Sequence, residues 1–234
     1  MKGLKERSDQ FEIMDDMTMS GPELKRTLDL LASINLWLGG NALTRDGVGK
    51  MLQPLSKGKT IRIVDLGCGN GDMLRQLHVF GQKNGYDLQL LGIDANPASV
   101  AYAKELSADM DNLEFSAINI FSQEFREMEY DIAIATLFMH HFSDDEITEL
   151  ISGIKNKSSI GVLVNDLHRS ELAYALFWVI SLFFGNHVAR NDGLVSIRKA
   201  FRRKDLEKYA KEVNGKSSIK WRWAFRYQWI ILNQ

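Results

Sequence analysis

The stretch Ile61-Arg62-Ile63-Val64-Asp65-Leu66-Gly67-Cys68-Gly69-Asn70-Gly71-Asp72 constrains the fold more than any other part of the chain. A short apolar run ends at an acid, three glycines follow at alternate positions, and after Asp72 the pattern turns helical through Met73, Leu74, Leu77 and Phe80. Strand, glycine loop and helix open a βαβ unit that takes a nucleoside-bearing ligand at the carboxyl end of the strand. Glycine lets the backbone turn tightly, with φ above zero where required, and lets a ligand approach the main chain with no Cβ in the way. The helix then aims unpaired N–H groups and the positive end of its dipole at that ligand. A dinucleotide fingerprint, G-x-G-x-x-G, would need glycine where Asp72 stands, and an acid sits poorly beside a pyrophosphate. No Gly-Lys-Ser/Thr follows, which excludes a Walker A loop. Acids on both sides of the glycines suit a ligand that carries an ammonium group and no phosphate.

S-adenosylmethionine (SAM) is such a ligand, and Val64-Asp65-Leu66-Gly67-Cys68-Gly69-Asn70-Gly71 resembles motif I of the class I SAM-dependent methyltransferases. Residues 1–19 are polar with a few methionines and read as a loosely held arm. Ser20-Gly21-Pro22-Glu23 starts a helix with Leu24, Leu28, Leu31, Ile34 and Leu38 on one face, and Gly39-Gly40-Asn41 ends it. It either packs beside the sheet or forms a lid over the ligand cleft. A short helix is expected at 46–52. Strands then alternate with helices: strands at 60–65, 88–93, 113–117, 130–135 and 160–164, helices at 71–83, 97–110 and 144–155. This rhythm means a parallel sheet covered on both faces. After it come an apolar helix at 171–184, a polar loop at 185–197, a helix at 204–213 and two strands near 218–224 and 226–232. The expected fold is α/β and Rossmann-like, a seven-stranded, mostly parallel sheet whose last strand is antiparallel, as in the methyltransferases. Residues 1–58 form a helical extension, and 59–234 form the SAM-binding domain with an acceptor-shaping insertion at about 168–203.

Composition narrows the class. Net charge is −1 over 234 residues, so no basic surface calls for nucleic acid. The single cysteine, Cys68, has no partner for a disulfide or a zinc cluster and fits a reducing cytoplasm. Met1 to Gln10 carry no signal-peptide core, and no apolar run reaches the ~18 residues of a membrane span. A cytoplasmic protein is the expectation.

The resemblance implies site roles residue by residue. Asp65, Gly67, Cys68, Gly69 and Gly71 hold the loop and the methionine part of SAM, which leaves as S-adenosylhomocysteine (SAH). Asp94, ending the second strand, accepts the ribose hydroxyls, with Ala95 beside it. Asn119 stands where the family has an aspartate on the adenine amino group; its carbonyl can accept that bond but brings no charge. Ile120 and Ile118 flank adenine or belong to the core, and Thr136 completes the cofactor set. Ala135-Thr136-Leu137-Phe138-Met139-His140-His141-Phe142 resembles the Leu-His-His stretch of many small-molecule methyltransferases. It lacks the Asn/Asp-Pro-Pro-Tyr of amino-group methyltransferases, and no cysteine is there for cytosine C5 chemistry.

Methyl transfer is an in-line displacement that gains from placing the acceptor and excluding water. An oxygen acceptor must also lose a proton, and histidine is the usual group near neutral pH. His168, directly after the fifth strand, is the first candidate and His140 the second; a buried, hydrogen-bonded histidine is the alternative for each. No metal-ligand spacing is evident, so none is expected. The helix from Leu172 to Phe184 is too short to span a bilayer and wants a partner: the core, a homodimer interface or a greasy acceptor. Five basic residues lie within 198–204, a solvated face or a docking site for an anion. Asp166-Leu167-His168-Arg169-Ser170, Arg190-Asn191-Asp192-Gly193 and Trp223-Ala224-Phe225-Arg226-Tyr227 resemble the bacterial methyltransferases that accompany type III polyketide synthases. That implies O-methylation of a hydrophobic phenol or enol in secondary metabolism. C-methylation of a quinone-like or enolisable carbon, and non-catalytic SAM binding, stay open.

Overall fold

The computed structural model describes residues 4–213 and 215–233. Strands β1 (Thr60–Leu66), β2 (Asp87–Asp94), β3 (Leu113–Ala117), β4 (Tyr130–Thr136), β5 (Ser158–Leu167), β6 (Lys216–Arg222) and β7 (Arg226–Leu232) form one sheet, ordered 3-2-1-4-5-7-6. Strand β7 runs antiparallel to both its neighbours, β5 and β6, while the other neighbouring pairs are parallel. The order reverses between β1 and β4, which opens a crevice at their carboxyl ends where ligands of such sheets bind. Central strands are apolar on both sides: Ile61 and Ile63 of β1 face one core, Val64 and Leu66 the other. That is the signature of a sheet covered twice.

Helices α2 (Gly40–Leu52), α3 (Asp72–Asn84) and α4 (Pro97–Leu106) supply the first core through Val48, Leu52, Leu74, Leu77 and Ala103. Helices α5 (Gln123–Arg126), α6 (Asp144–Lys157) and α9 (Arg203–Glu212) supply the second through Phe125, Ile151, Leu206 and Tyr209. Helix α1 (Gly21–Trp37) lies outside them, with Leu24 and Leu28 against Tyr102. Helices α7 (Glu171–Ser181) and α8 (His187–Lys199) follow β5.

Three expectations need correction. The polar loop expected at 185–197 is a helix, α8, capped by Asn186, whose side chain accepts from the Ala189 amide at 2.9 Å. Its Gly193 misleads in sequence; a Cβ there would meet the Phe177 ring of α7, so close helix packing explains the glycine. The helix expected at 46–52 starts six residues earlier, at Gly40, because Gly39 at φ 76° turns the chain directly from α1 into α2.

The N-terminal arm is not loose. Met1 to Gly3 lie outside the described residues, but Leu4 is buried and its carbonyl accepts from Arg202 Nη2 at 2.7 Å. Arg7 donates to the carbonyls of Lys199 (2.8 Å), His140 (3.0 Å) and Phe142 (2.7 Å), pairs with Asp144 at 2.8 Å, and lies over the Phe201 ring. Long-range pairing of this kind leaves no local trace in the sequence.

Candidate active site

The glycine loop is folded onto the end of β2. The amides of Gly67 and Cys68 both donate to the Ile93 carbonyl, at 2.8 and 3.0 Å, and the Gly69 amide donates to Asp94 Oδ2 at 3.0 Å. Gly67, Gly69 and Gly71 have φ of 69°, 53° and 76°, and a Cβ on Gly67 would enter the Phe138 ring. Glycine is therefore required for conformation and for space. Asp94 Oδ1 also accepts from the Asn96 amide at 2.9 Å, and Asn96 caps α4.

Asp65 is buried beneath the loop. Burial first, and then the charges of Asp94 and Asp72, push its carboxyl well above the usual range. Burial raises Asp94 as well, against its two backbone hydrogen bonds and the His141 charge. Three carboxyls around a sheltered loop form a site that a cationic group relieves and an anion aggravates. The donor set and the bare glycine cradle fit SAM, whose sulfonium and ammonium are positive. Cys68 is buried, and burial together with Asp94 and Asp65 pushes its thiol up, so it lines the loop as an inert group.

Helix α1 covers this loop. Leu28 lies 3.3 Å from a Cβ built on Gly69, Asn70 Nδ2 donates to Asp29 Oδ1 at 3.1 Å, and Tyr102 donates to Asp29 Oδ2 at 2.7 Å. Asn41 of α2 donates to Asp72, and Asn35 of α1 donates to Asn41. Sequence reasoning missed Asp29, Asn35 and Asn41, which carry no motif and matter only because α1 and α2 fold back over the loop. At the edge of the cleft Ala95 and Asn119 are exposed, while Ile118 and Ile120 are buried in the second core. Asn119 Oδ1 accepts from the Phe121 amide at 2.9 Å, so its free NH2 group offers donors where an acceptor was expected. Thr136 closes β4, its hydroxyl 3.0 Å from that of Thr44.

The chain then reaches Leu137, held at φ 55°, an unfavourable conformation for leucine. It turns into the 3-10 turn Met139–His141. His140 is 2% exposed, its Nδ1 is 2.7 Å from Asp166 Oδ1, and its Nε2 is 3.6 Å from Glu12 Oε1. His141 Nδ1 is 2.7 Å from Asp15 Oδ1. Lys199 Nζ stands 3.6 Å from Glu12 Oε1 and 3.3 Å from Asp15 Oδ2, and Asp192 takes the amides of Ile13 and Met14 at 2.7 and 2.9 Å. This knot fastens the N-terminal arm to the end of β4. Burial would lower His140, but the Asp166 charge and the hydrogen bonds to Asp166 and Glu12 outweigh it and lift the group to about 9.

Glu12, His140 and His141 bring three ligand-type groups within 4.8 Å, a convergence that sequence spacing did not announce. The two imidazoles stack, centroids 4.4 Å apart and planes 29° apart, so their lone pairs run along near-parallel planes instead of meeting at a point. Lys199 already supplies a cation there. The group fits an ion-pair knot better than a metal centre.

His168 lies apart from this knot. It follows β5, its ring edge-on to Tyr227 at 5.2 Å, and its Nδ1 accepts from Trp221 Nε1 at 3.3 Å. Burial, then Arg202 and Arg169, hold it below the ordinary histidine value, so it is neutral, with its proton on Nε2. The structure thus brings Asp65, the glycines and Asp94 into one cradle, puts His140 in the knot at the end of β4, and places His168 among residues of the β6–β7 hairpin.

Residues 63–161 match the family described as Methyltransferase domain. No curated protein matches this chain. Among solved structures it is similar to the plantazolicin methyltransferase BpumL in complex with SAH, at TM-score 0.66 and 17% identity over 91% of this chain and 96% of that one. It is similar to magnesium protoporphyrin IX methyltransferase (ChlM) from Synechocystis PCC 6803 with bound SAM, at TM-score 0.55 and 13% identity over 87% and 84% of the two chains. The CurJ carbon methyltransferase matches at TM-score 0.61 and 14% identity, over 82% of this chain and 53% of that one.

Proposed function

We propose that this chain, a class I SAM-dependent methyltransferase, methylates an oxygen of a hydrophobic, hydroxylated small molecule, a phenol or enol of polyketide type. SAM is its cofactor. The observation that carries the acceptor reading is α7. It begins just beyond β5, on the carboxyl edge of the sheet, and buries only Ala173 and Ser181. Leu172, Leu176, Val179, Ile180 and Phe183 are 43–85% exposed. The core therefore does not use this helix face, and an apolar acceptor entering the same edge would.

SAM, when bound, supplies an electrophilic methyl group on a sulfonium. Asp94 would hold the ribose hydroxyls with the lone pairs its two amide bonds leave free, and the Asn119 NH2 group would meet adenine. Leu28 and Phe138, packed on the glycine loop, exclude water. His140, held between two carboxylates, fixes the end of β4 and so positions Thr136 and Phe138. His168 presents an N–H and orients an acceptor oxygen instead of deprotonating it. An acceptor acidic enough to ionise near neutral pH needs no base.

The test is to incubate the purified protein with SAM labelled on its methyl group and a cell extract. Label in the organic phase, located on oxygen by mass spectrometry, supports the proposal. Label on carbon makes this a C-methyltransferase, label on macromolecules overturns the acceptor reading, and SAM binding without turnover makes it a binding protein.

A further inference from the structure

Arg226, the first residue of β7, is a buried cation that makes no direct ion pair among the described residues. It is 2% exposed, and its Nη1 has no hydrogen-bond partner among the described residues. The carboxylate that acts on it through space is Asp166. Asp166 spends its oxygens on His140 and on the Leu167 amide. Burial lowers the guanidinium only to about 10, so it stays charged at neutral pH. Its neighbour Arg222 shows the ordinary solution, with Gln228 Oε1 at 2.9 Å and Asp46 at 3.7 Å. A buried charge with no directly bonded carboxylate is costly for a fold to hold, and a partner absent from the chain itself is the simplest reason to keep it.

Two further polar atoms are left open in the same place. Asn165 of β5 donates through Nδ2 to the Gly40 carbonyl at 2.8 Å and to Thr44 Oγ1 at 2.9 Å, which fixes the amide and leaves its buried Oδ1 without a donor. Asn35 gives its Nδ2 to Asn41, and its Oδ1 is likewise buried and unpartnered. Gly40 joins the three: a Cβ on it would lie 2.8 Å from Arg226 Cζ and would collide with Asn35 Oδ1. The directed chain Asn35–Asn41–Asp72 runs from this spot to the first residue after the glycine loop, and Asn165–Thr44–Thr136 runs to the end of β4. The spot is therefore tied by hydrogen bonds both to the glycine loop and to the end of β4.

We propose that Arg226, Asn35 and Asn165 form the recognition site for an acceptor that binds as an oxyanion and carries at least one further hydroxyl. The guanidinium takes the ionised oxygen, and the two amide oxygens accept from neighbouring O–H groups. The substrate class is then a polyhydroxylated ring with one acidic hydroxyl, and Arg226 takes the place of a general base by binding the acceptor already deprotonated. The ionised oxygen forms the O–CH3 bond as the S–CH3 bond of SAM breaks, the electron pair stays on sulfur, and the products are a neutral methyl ether and SAH, so no proton changes hands on the protein. This inference rests on the acceptor reading given above.

Isothermal titration in the presence of SAH tests it with two probes, 4-hydroxy-6-methyl-2-pyrone, ionised at neutral pH, and its neutral 4-methoxy ether. The native protein is expected to bind the anion about 10–100-fold more tightly than the ether, the range of a charge-assisted hydrogen bond. Arg226→Gln should abolish that preference while binding SAH within about twofold, the sign that the fold is intact. Gly40→Ala, which displaces the guanidinium and leaves it in the chain, should also weaken the preference and guards against a misfolded R226Q. Equal binding of both probes by the native protein, or a preference that survives in both variants, overturns the proposal. Methyl label entering neutral phenols without any preference for the anion would sink this inference alone; failure of any small molecule to be labelled, with the anion preference intact, would sink the acceptor chemistry alone.

Discussion

Replacing His140 by asparagine removes a cation from between two carboxylates, and the size of the effect follows from the geometry. Asp166 lies 2.7 Å from Nδ1 and Glu12 3.6 Å from Nε2, and the ring is 2% exposed. A rise from 6.5 to about 9 corresponds to ~3 kcal/mol of folding stability. The sign is set by the direction of the shift. A histidine raised in the folded state stabilises fully below its unfolded value and loses that contribution as pH rises through its folded value. Glu12 and Asp166 are lowered by the same imidazolium, burial opposing, so their share is lost only in acid, as pH falls through their depressed values. Urea unfolding of both proteins in a mixed buffer of constant ionic strength, from about pH 6 to about pH 10, separates the effect. The native protein is expected to exceed His140→Asn by ~3 kcal/mol at the acid end, the gap closing towards ~1 kcal/mol above pH 9 as the native imidazolium deprotonates. Titrating groups that do not touch His140 cancel in the difference. A gap that is constant across the range, or one that widens with pH, refutes the assignment of His140 as a cationic clamp.

Asp94→Ala removes the acceptor of the Gly69 amide and the expected ribose contact, and calorimetry should show SAM affinity reduced by about 100-fold; native-like affinity would displace the cofactor assignment. Cys68, buried and held protonated by burial and the nearby carboxyls, should not react with Ellman's reagent in the native state and should react once urea unfolds the chain. Replacing Leu176 and Val179 by serine should change folding stability by less than ~1 kcal/mol, since both are exposed, while raising KM for an apolar acceptor; a large loss of stability would return α7 to the core.

The architecture was legible because its signals are local. Strand and helix periods, the glycines at 67, 69 and 71, the acid at 94 and the Asn96-Pro97 cap each act within a few residues, and they set the glycine loop beside Asp94 at the carboxyl ends of β1 and β2. Helix α8 was misread for a local reason as well: its polar residues and Gly193 look like a loop until Phe177 is packed against that glycine. The polar knots around His140 and Arg226 were hidden because their partners are distant in sequence. Glu12 reaches His140, Arg7 reaches Asp144, and Arg226 comes to Asn35 and Gly40 across most of the chain. Sequence by itself determined where the backbone turns and which ligand charge the loop tolerates, because short-range sterics and burial dictate both. Only the tertiary structure decided which charges stand against the histidines and Arg226, because those partners come from distant parts of the chain.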